Sequence, residues 1–142
     1  MRGRRKLLRV SVPASTRMRR LDVTSLHLAC CAVESATGLE LWEAQQPGPD
    51  EISEDVVTLQ VLVVAGTVTK VNAELVNETL EALGEPRAVV AFGACTISGG
   101  PYWDSYAVLP GIGDLVPVDI YVSGCPPRAT DLVAALAELA FR

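Results

Sequence analysis

The stretch "TLQVLVVAG", Thr58–Gly66, decides the fold class of the chain. It is a nearly continuous run of apolar and β-branched residues that ends in glycine. A strand that faces water on one side alternates apolar with polar residues, whereas this run is apolar on both faces. Such strands are typical of parallel sheets that are covered on both sides.

Two further apolar runs follow this strand, "AVVAFGAC" at Ala88–Cys95 and "VDIYVSGC" at Val118–Cys125. The segment Thr69–Pro86 lies before them and predicts a helix, with apolar residues at helical spacing (Val71, Leu75, Leu80 and Leu83). Pro126–Arg142 predicts a final helix. Strands that alternate with helices indicate a three-layer α/β fold with a short parallel sheet.

The part of the chain before Thr58 is less regular. Residues 1–23 are interpreted as a basic leader and residues 24–142 as one α/β domain. Within Ser25–Ala36, apolar residues and helix formers surround two adjacent cysteines, so a helix or helical turn is expected there. Glu43–Asp55 is rich in Pro, Gly and acids, which predicts a loop.

The charge of the chain is segregated. Eight of its 12 Lys and Arg residues lie in residues 1–20, which contain no acid, and residues 21–142 have a net charge of −13. A basic arm favours an anionic membrane surface or an acidic partner, although a solvated leader has the same composition. Nucleic acid is not expected, because the body is acidic and the arm lacks aromatics. Without a membrane-spanning run or signal peptide, we expect a cytoplasmic location.

The four cysteines are the main candidates for chemistry. Cys30 and Cys31 are adjacent, while Cys95 and Cys125 each come just after a predicted strand, where parallel sheets build their sites. The cysteines could instead be buried free thiols, two disulfides or a structural zinc site. Zinc sites usually contain CxxC motifs, and the chain has none. A [4Fe–4S] cluster needs four thiolates without such motifs.

The motifs "ACCAVE", "VVAGTVT", "FGACTISGG" and "VPVDIYVSGCPPR", taken in order, resemble the 20 kDa subunit family of proton-pumping NADH:quinone oxidoreductase, respiratory complex I, whose bacterial members are its B subunits. The match covers roughly residues 24–140. The family is related to the small subunits of nickel–iron hydrogenases, whose first motif is usually of the CxGC type. The adjacent pair in this chain resembles the complex I branch instead.

The resemblance implies a flavodoxin-like subunit with one [4Fe–4S] cluster ligated by Cys30, Cys31, Cys95 and Cys125, and with Glu34 as an acid near it. It implies an electron relay toward quinone at the cytoplasmic side of the cell membrane. The implied partners are a larger catalytic subunit, other iron–sulfur subunits and membrane subunits. The alternatives are a subunit of an energy-converting hydrogenase-type complex, or a zinc-bound or metal-free assembly module.

Some residues depart from the family or lie outside its motifs. The family usually has an Arg-Phe-Gly element and further arginines after the cysteine pair. This chain has no arginine there and six acids (Glu40, Glu43, Asp50, Glu51, Glu54 and Asp55). The chain lacks GxGxxG and Walker motifs, so it is not expected to bind NADH or ATP. His27 is expected to be packed, and Asp119 to pair locally. Thr67 or Lys70 could form a hydrogen bond to the cluster or its ligands. Three aromatic residues are expected at an interface or in the core (Tyr102, Trp103 and Tyr106).

Overall fold

The computed structural model describes residues 19–47 and 56–142. In chain order the elements are β1 (Arg20–His27), α1 (Cys31–Glu43), β2 (Thr58–Ala65), α2 (Ala73–Ala82), β3 (Arg87–Phe92), α3 (Ala94–Ser98), β4 (Ile120–Val122) and α4 (Ala129–Phe141). A 3₁₀ turn, Gly100–Tyr102, follows α3. Most of the predicted leader and residues 48–55 of the predicted loop lie outside the described residues.

The described strands form one parallel sheet in the order β1-β2-β3-β4. This confirms the predicted α/β class and the short parallel sheet. The run Val61–Ala65 of β2 is fully buried, as its unbroken apolar sequence predicts. Burial of one large aliphatic side chain contributes about 1.5–3 kcal/mol to folding, so β2 is a main stabilising element.

Helices cover the sheet on both faces. Val61 and Val63 of β2 face a core that includes Leu132 and Leu136 of α4, together with residues of α1. The alternate β2 residues Leu62 and Val64 face a second core that contains residues of α2 and of the segment before β4 (Val76, Leu80, Ile112 and Val116). The two cores on opposite faces of one sheet make the three layers.

The core face of α2 differs from the predicted one. Val71 lies before the helix and is 93% exposed, and Leu75 is 45% exposed. Val76 and Leu80 are the buried residues of α2. The predicted repeat was right for Leu80 and for Leu83, which packs against this core, but wrong for Leu75 and for Val71, which lies in the turn before the helix.

The largest correction concerns the chain before Cys31. Ser25–His27 were expected to be helical, but they belong to β1, whose residues pair in parallel with Thr58–Ala65. Helix α1 begins only at Cys31. Residues 20–23, assigned to the leader from the sequence, are also part of β1, so the folded domain includes them. Pairing with a strand far along the chain overrides the local helix preference.

Candidate metal centre at the carboxyl edge of the sheet

All four cysteines follow strand ends at one edge of the sheet. Cys30 comes three residues after β1, and Cys31 is the first residue of α1. Cys95 is the second residue of α3, directly after β3, and Cys125 comes three residues after β4. Because the strands are parallel, their carboxyl ends lie at the same edge.

Three cysteine-bearing segments meet at Gly93. A Cβ atom at Gly93 would lie 2.6 Å from Sγ of Cys31 and 3.7 Å from Cδ of Pro127, so both neighbours pack against its bare backbone. The N–H of Gly93 donates to the carbonyl oxygen of Val122 at 2.8 Å. Gly93 therefore joins the segments of Cys31, Cys95 and Cys125, and its φ of +103° suits glycine.

Further contacts fix the loops that carry Cys95 and Cys125. The N–H of Ala94 donates to the carbonyl oxygen of Gly124 at 2.8 Å, which links the residues that directly precede the two cysteines. A Cβ at Gly100 would lie 2.9 Å from Sγ of Cys95. At Gly93 and Gly100, the absence of a side chain lets the two sulfur atoms lie directly against the backbone.

The four thiols differ in exposure. Cys31 and Cys95 are each only 2% exposed, whereas Cys30 and Cys125 are exposed. Burial, above all, and the nearby Cys30, Cys95 and Cys125 raise the pKa of the Cys31 thiol to about 11. A metal group bound at this site would favour the thiolate form of Cys31.

Thr96 is a buried residue of the site whose role the sequence did not reveal. Its hydroxyl oxygen accepts the N–H of Gly66 at 3.0 Å. The hydroxyl lies 2.8 Å from the carbonyl oxygen of Gly66 and 3.1 Å from that of Phe92, and it donates its one hydrogen to either. Thr96 therefore ties the helix of Cys95 to the end of β2. Its place directly after Cys95 is the one sequence clue to this role.

His27 connects the end of β1 to the first turns of α1. Its Nδ1 lies 2.8 Å from the hydroxyl of Ser35, which is fully buried and donates to the carbonyl oxygen of Ala32. The hydroxyl of Ser35 therefore links the ring of His27 to the backbone of α1. The side chain of His27 is exposed, so the expected packed position is wrong, and its ring instead bridges the hydroxyls of Ser25 and Ser35.

The other sequence candidates are placed as follows. The carboxylate of Glu34, on the first turn of α1, accepts the N–H of Ala129 at 3.2 Å. Asp119 lies just before β4 and accepts the N–H of Val89 at 2.8 Å from 30 residues away, so its partner is on a neighbouring strand and not local in sequence. Thr67 and Lys70 follow β2 at the cysteine edge, but within the described residues their side chains form no hydrogen bond to a cysteine.

The aromatic residues after Gly100 do not enter the core. Tyr102 is 55% exposed, Trp103 71% and Tyr106 88%. Val71 lies nearby, because the N–H of Lys70 donates to the carbonyl oxygen of Ala107. Exposed apolar side chains grouped in this way are typical of interaction surfaces, which favours the interface reading over core packing.

The donor set suits a soft metal group. Among residues 19–47 and 56–142, no three His, Cys, Asp or Glu side chains are arranged around one metal-ion position. The ligands of a cubane cluster each bind a different iron atom and stand farther apart than ligands of one ion. In their chemistry, four thiols at one edge of the sheet suit an iron–sulfur cluster.

A three-layer α/β domain with four cysteines at the carboxyl edge of its sheet is a candidate metal-binding protein with thiolate ligands. The model of the family "NADH ubiquinone oxidoreductase, 20 Kd subunit" matches residues 10–139. The chain belongs to this family, which confirms the resemblance seen in its motifs. It is 40% identical over 120 residues to an NADH-quinone oxidoreductase B subunit of Salinispora tropica, covering 84% of this chain and 64% of that protein.

A second relative and a solved structure agree. An NADH-quinone oxidoreductase B subunit of Roseiflexus sp. is 45% identical over 116 residues, or 81% of this chain and 43% of the relative. The chain thus spans less than two thirds of the length of each of these two relatives. The structure of an archaeal membrane-bound sulfane sulfur reductase, a respiratory membrane complex, contains a similar chain with a TM-score of 0.55 and 26% identity, covering 87% of this chain and 71% of the other. No helix in the described part of the present chain is long and apolar enough to cross a membrane.

Proposed function

We propose that Cys30, Cys31, Cys95 and Cys125 hold one [4Fe–4S] cluster. The observation that carries the proposal is the meeting of three cysteine segments at Gly93, where a side chain would strike Sγ of Cys31. Zinc would bring together the same donors, but as ligands of one ion. Membership of the 20 kDa subunit family supports the cluster over zinc.

The chain acts as an electron relay in a multisubunit, membrane-associated NADH:quinone oxidoreductase. The cluster, when bound, supplies one-electron redox chemistry. The protein would supply two buried sulfur ligands, Cys31 and Cys95, and the Cys31 thiol would have to lose its proton to bind the cluster. Cys30 and Cys125 lie on the exposed side, where a partner protein covers the site and limits water.

The proposed partners follow from this exposed side. A larger catalytic subunit docks over Tyr102, Trp103 and Tyr106 and shares the quinone site. Other iron–sulfur subunits deliver the electrons, and membrane subunits hold the assembly at the cytoplasmic face of the membrane. The chain itself binds neither NADH nor ATP, since it lacks both phosphate-binding glycine motifs.

The relay is tested in membranes that contain the whole complex. Reduction by NADH should produce an electron paramagnetic resonance (EPR) signal from the cluster, and added quinone should remove the signal by reoxidising the cluster. The signal should be absent when Cys95 is replaced by serine. The matched control is Ser98→Ala, an exposed residue of the same short helix. A signal that persists in Cys95→Ser belongs to another protein of the complex and would contradict the proposal.

A second candidate keeps the cluster but changes the acceptor. The similar chain in the sulfane sulfur reductase complex shows this fold in another respiratory membrane complex. The exposed Glu40 and Glu43 of α1 stand in a segment where the family usually has arginines, so the neighbouring surface differs in charge. Oxidation of the reduced complex by sulfane sulfur but not by quinone would favour this candidate.

The hydrogenase-type alternative makes a different prediction about the larger partner. Its nickel site requires paired CxxC motifs in that partner, whereas a quinone-reactive partner lacks them. The neighbouring reading frame decides between the two, and hydrogen evolution by the reduced complex checks the result. A partner with paired CxxC motifs and hydrogen evolution would replace quinone with protons as the acceptor.

A further inference from the structure

The helices that carry or follow the exposed cysteines touch each other near the site. Helix α1 begins at Cys31, and α4 begins four residues after Cys125. Glu34, on the first turn of α1, accepts the N–H of Ala129 through Oε2 at 3.2 Å. Ala129 is the first residue of α4, so this bond connects residues 95 positions apart in the chain.

A second contact lies one turn farther along α1. Gly38 is buried, and a Cβ atom there would lie 2.8 Å from the carbonyl oxygen of Ala129 and 3.0 Å from Leu132. Glu34 and Gly38 are four residues apart and therefore share one face of the helix. This face of α1 rests on the first turn of α4.

The hydrogen bond from Ala129 meets a need of α4. The first N–H groups of a helix have no partner within the helix, and a negative group at this end is favourable. Asp131 accepts the N–H of Arg128, and the N–H of Asp131 donates to the carbonyl oxygen of Arg128. The N–H of Ala129 is instead satisfied from α1. The hydrogen bond from Ala129 to Glu34 thus caps the first residue of α4.

We propose that Glu34 is a positioning residue that fixes Cys125 relative to the Cys30–Cys31 pair. Cys125 lies in the short link between Gly124, which is tied to Ala94, and Ala129, which is tied to Glu34. Both ends of the link are therefore held, one by the segment of Cys95 and the other by the helix of Cys31. The inference rests on the proposed cluster for its consequence, but the contact is a property of the chain itself.

The test uses the full chain reconstituted anaerobically with iron and sulfide. Glu34→Ala removes the acceptor and should cause a several-fold loss of iron retained after desalting, with a changed EPR spectrum in the remainder. Glu34→Gln keeps an acceptor oxygen and should retain wild-type iron and the wild-type EPR spectrum. Gly38→Ala should reproduce the defect, because it displaces the same turn of α4. Glu40→Ala, at an exposed acid of α1, is the matched control and should behave as wild type.

A measurement without iron separates this inference from the proposed function. In the metal-free chain, a short bifunctional thiol reagent should cross-link Cys30 to Cys125, more slowly in Glu34→Ala and Gly38→Ala than in wild type and Glu34→Gln. If Glu34→Ala only lowers the melting temperature, with wild-type cross-linking and EPR spectrum in the folded chain, the positioning role is overturned. A wild-type chain that binds no iron but shows the cross-linking difference overturns the cluster and supports the positioning role.

Discussion

The two halves of the cysteine set lie at the same edge of the sheet but in different surroundings. Cys31 and Cys95 are buried against the bare backbones of Gly93 and Gly100. Cys30 and Cys125 are exposed, in the segments that follow β1 and β4. The difference indicates that the fold encloses one half of the cysteine set, while the other half is open to solvent.

This comparison predicts that changes beside the buried half cost the most. Gly93→Ala places a Cβ 2.6 Å from Sγ of Cys31 at a φ of +103°. Backbone strain costs about 1–3 kcal/mol, and overpacking costs about 1–3 kcal/mol more. Urea unfolding should show this loss of stability, together with loss of bound iron.

The matched control for this substitution is Gly84→Ala. Gly84 is exposed, and a Cβ there would meet no atom within 4 Å. We expect its stability and iron content to equal those of the wild type. Equal stability of the Gly93 and Gly84 variants would show that the buried half is not preformed.

The reactivity of the thiols sharpens the same comparison. In the metal-free chain, iodoacetamide should modify the exposed Cys30 and Cys125 before Cys31. A pKa of about 11 instead of 9.0 for Cys31 lowers its thiolate fraction at pH 8, by roughly 100-fold. Its modification should therefore speed up as pH rises toward 11. Peptide mass spectrometry over time measures each rate, and equal rates for all four thiols would remove the distinction between the halves.

The hydrogen bonds of Thr96 test how firmly the buried half is held. Thr96→Val leaves the N–H of Gly66 without its buried acceptor, which costs about 1–3 kcal/mol. Thr96→Ser keeps the hydroxyl and should recover most of the loss in a urea titration. If valine is as stable as threonine, Gly66 finds another partner and Thr96 does not hold Cys95 in place.

The smallest effect is expected beside the exposed half. Hydrogen bonds from the backbone and side chain of Arg128 lower the pKa of Asp131, whose side chain is partly exposed to solvent. The stabilisation by the ionised carboxylate is present above its ordinary pKa of 3.8 and is lost as pH falls through the lowered value. Asp131→Asn should slightly reduce the melting temperature at pH 7 and leave iron content unchanged, with no difference from wild type at the lowest pH. A large loss of iron would mean that the exposed half depends on this cap.

The strands with unbroken apolar sequences were predicted correctly, because their pattern is visible within a few residues. The unbroken apolar runs identified β2 and β3, and strand ends gave the common edge for Cys95 and Cys125. Strand β1 was missed although Leu21 and Val23 alternate with Arg20, Asp22 and Thr24, as in a strand with one exposed face. This alternating stretch is short and lies between the basic leader and the cysteine pair, and its pairing with β2 is distant in sequence.

The contacts that complete the site could not be predicted, because they join distant parts of the chain. Thr96 bonds to Gly66 across 30 residues, and Glu34 bonds to Ala129 across 95. The family resemblance marked Glu34 as an acid near the site but did not give its partner. The exposure of Cys30 and Cys125 also depends on how the loops pack, which residue type does not determine.

The central claim is that the four cysteines hold one [4Fe–4S] cluster, and metal and sulfide analysis of the anaerobically purified full chain tests it most directly. We expect about four irons and four acid-labile sulfides per chain, with a visible absorbance that bleaches on reduction. Serine at any one of the four positions should disrupt this signature. A wild-type chain that instead contains about one zinc, or no iron after reconstitution, would contradict the account.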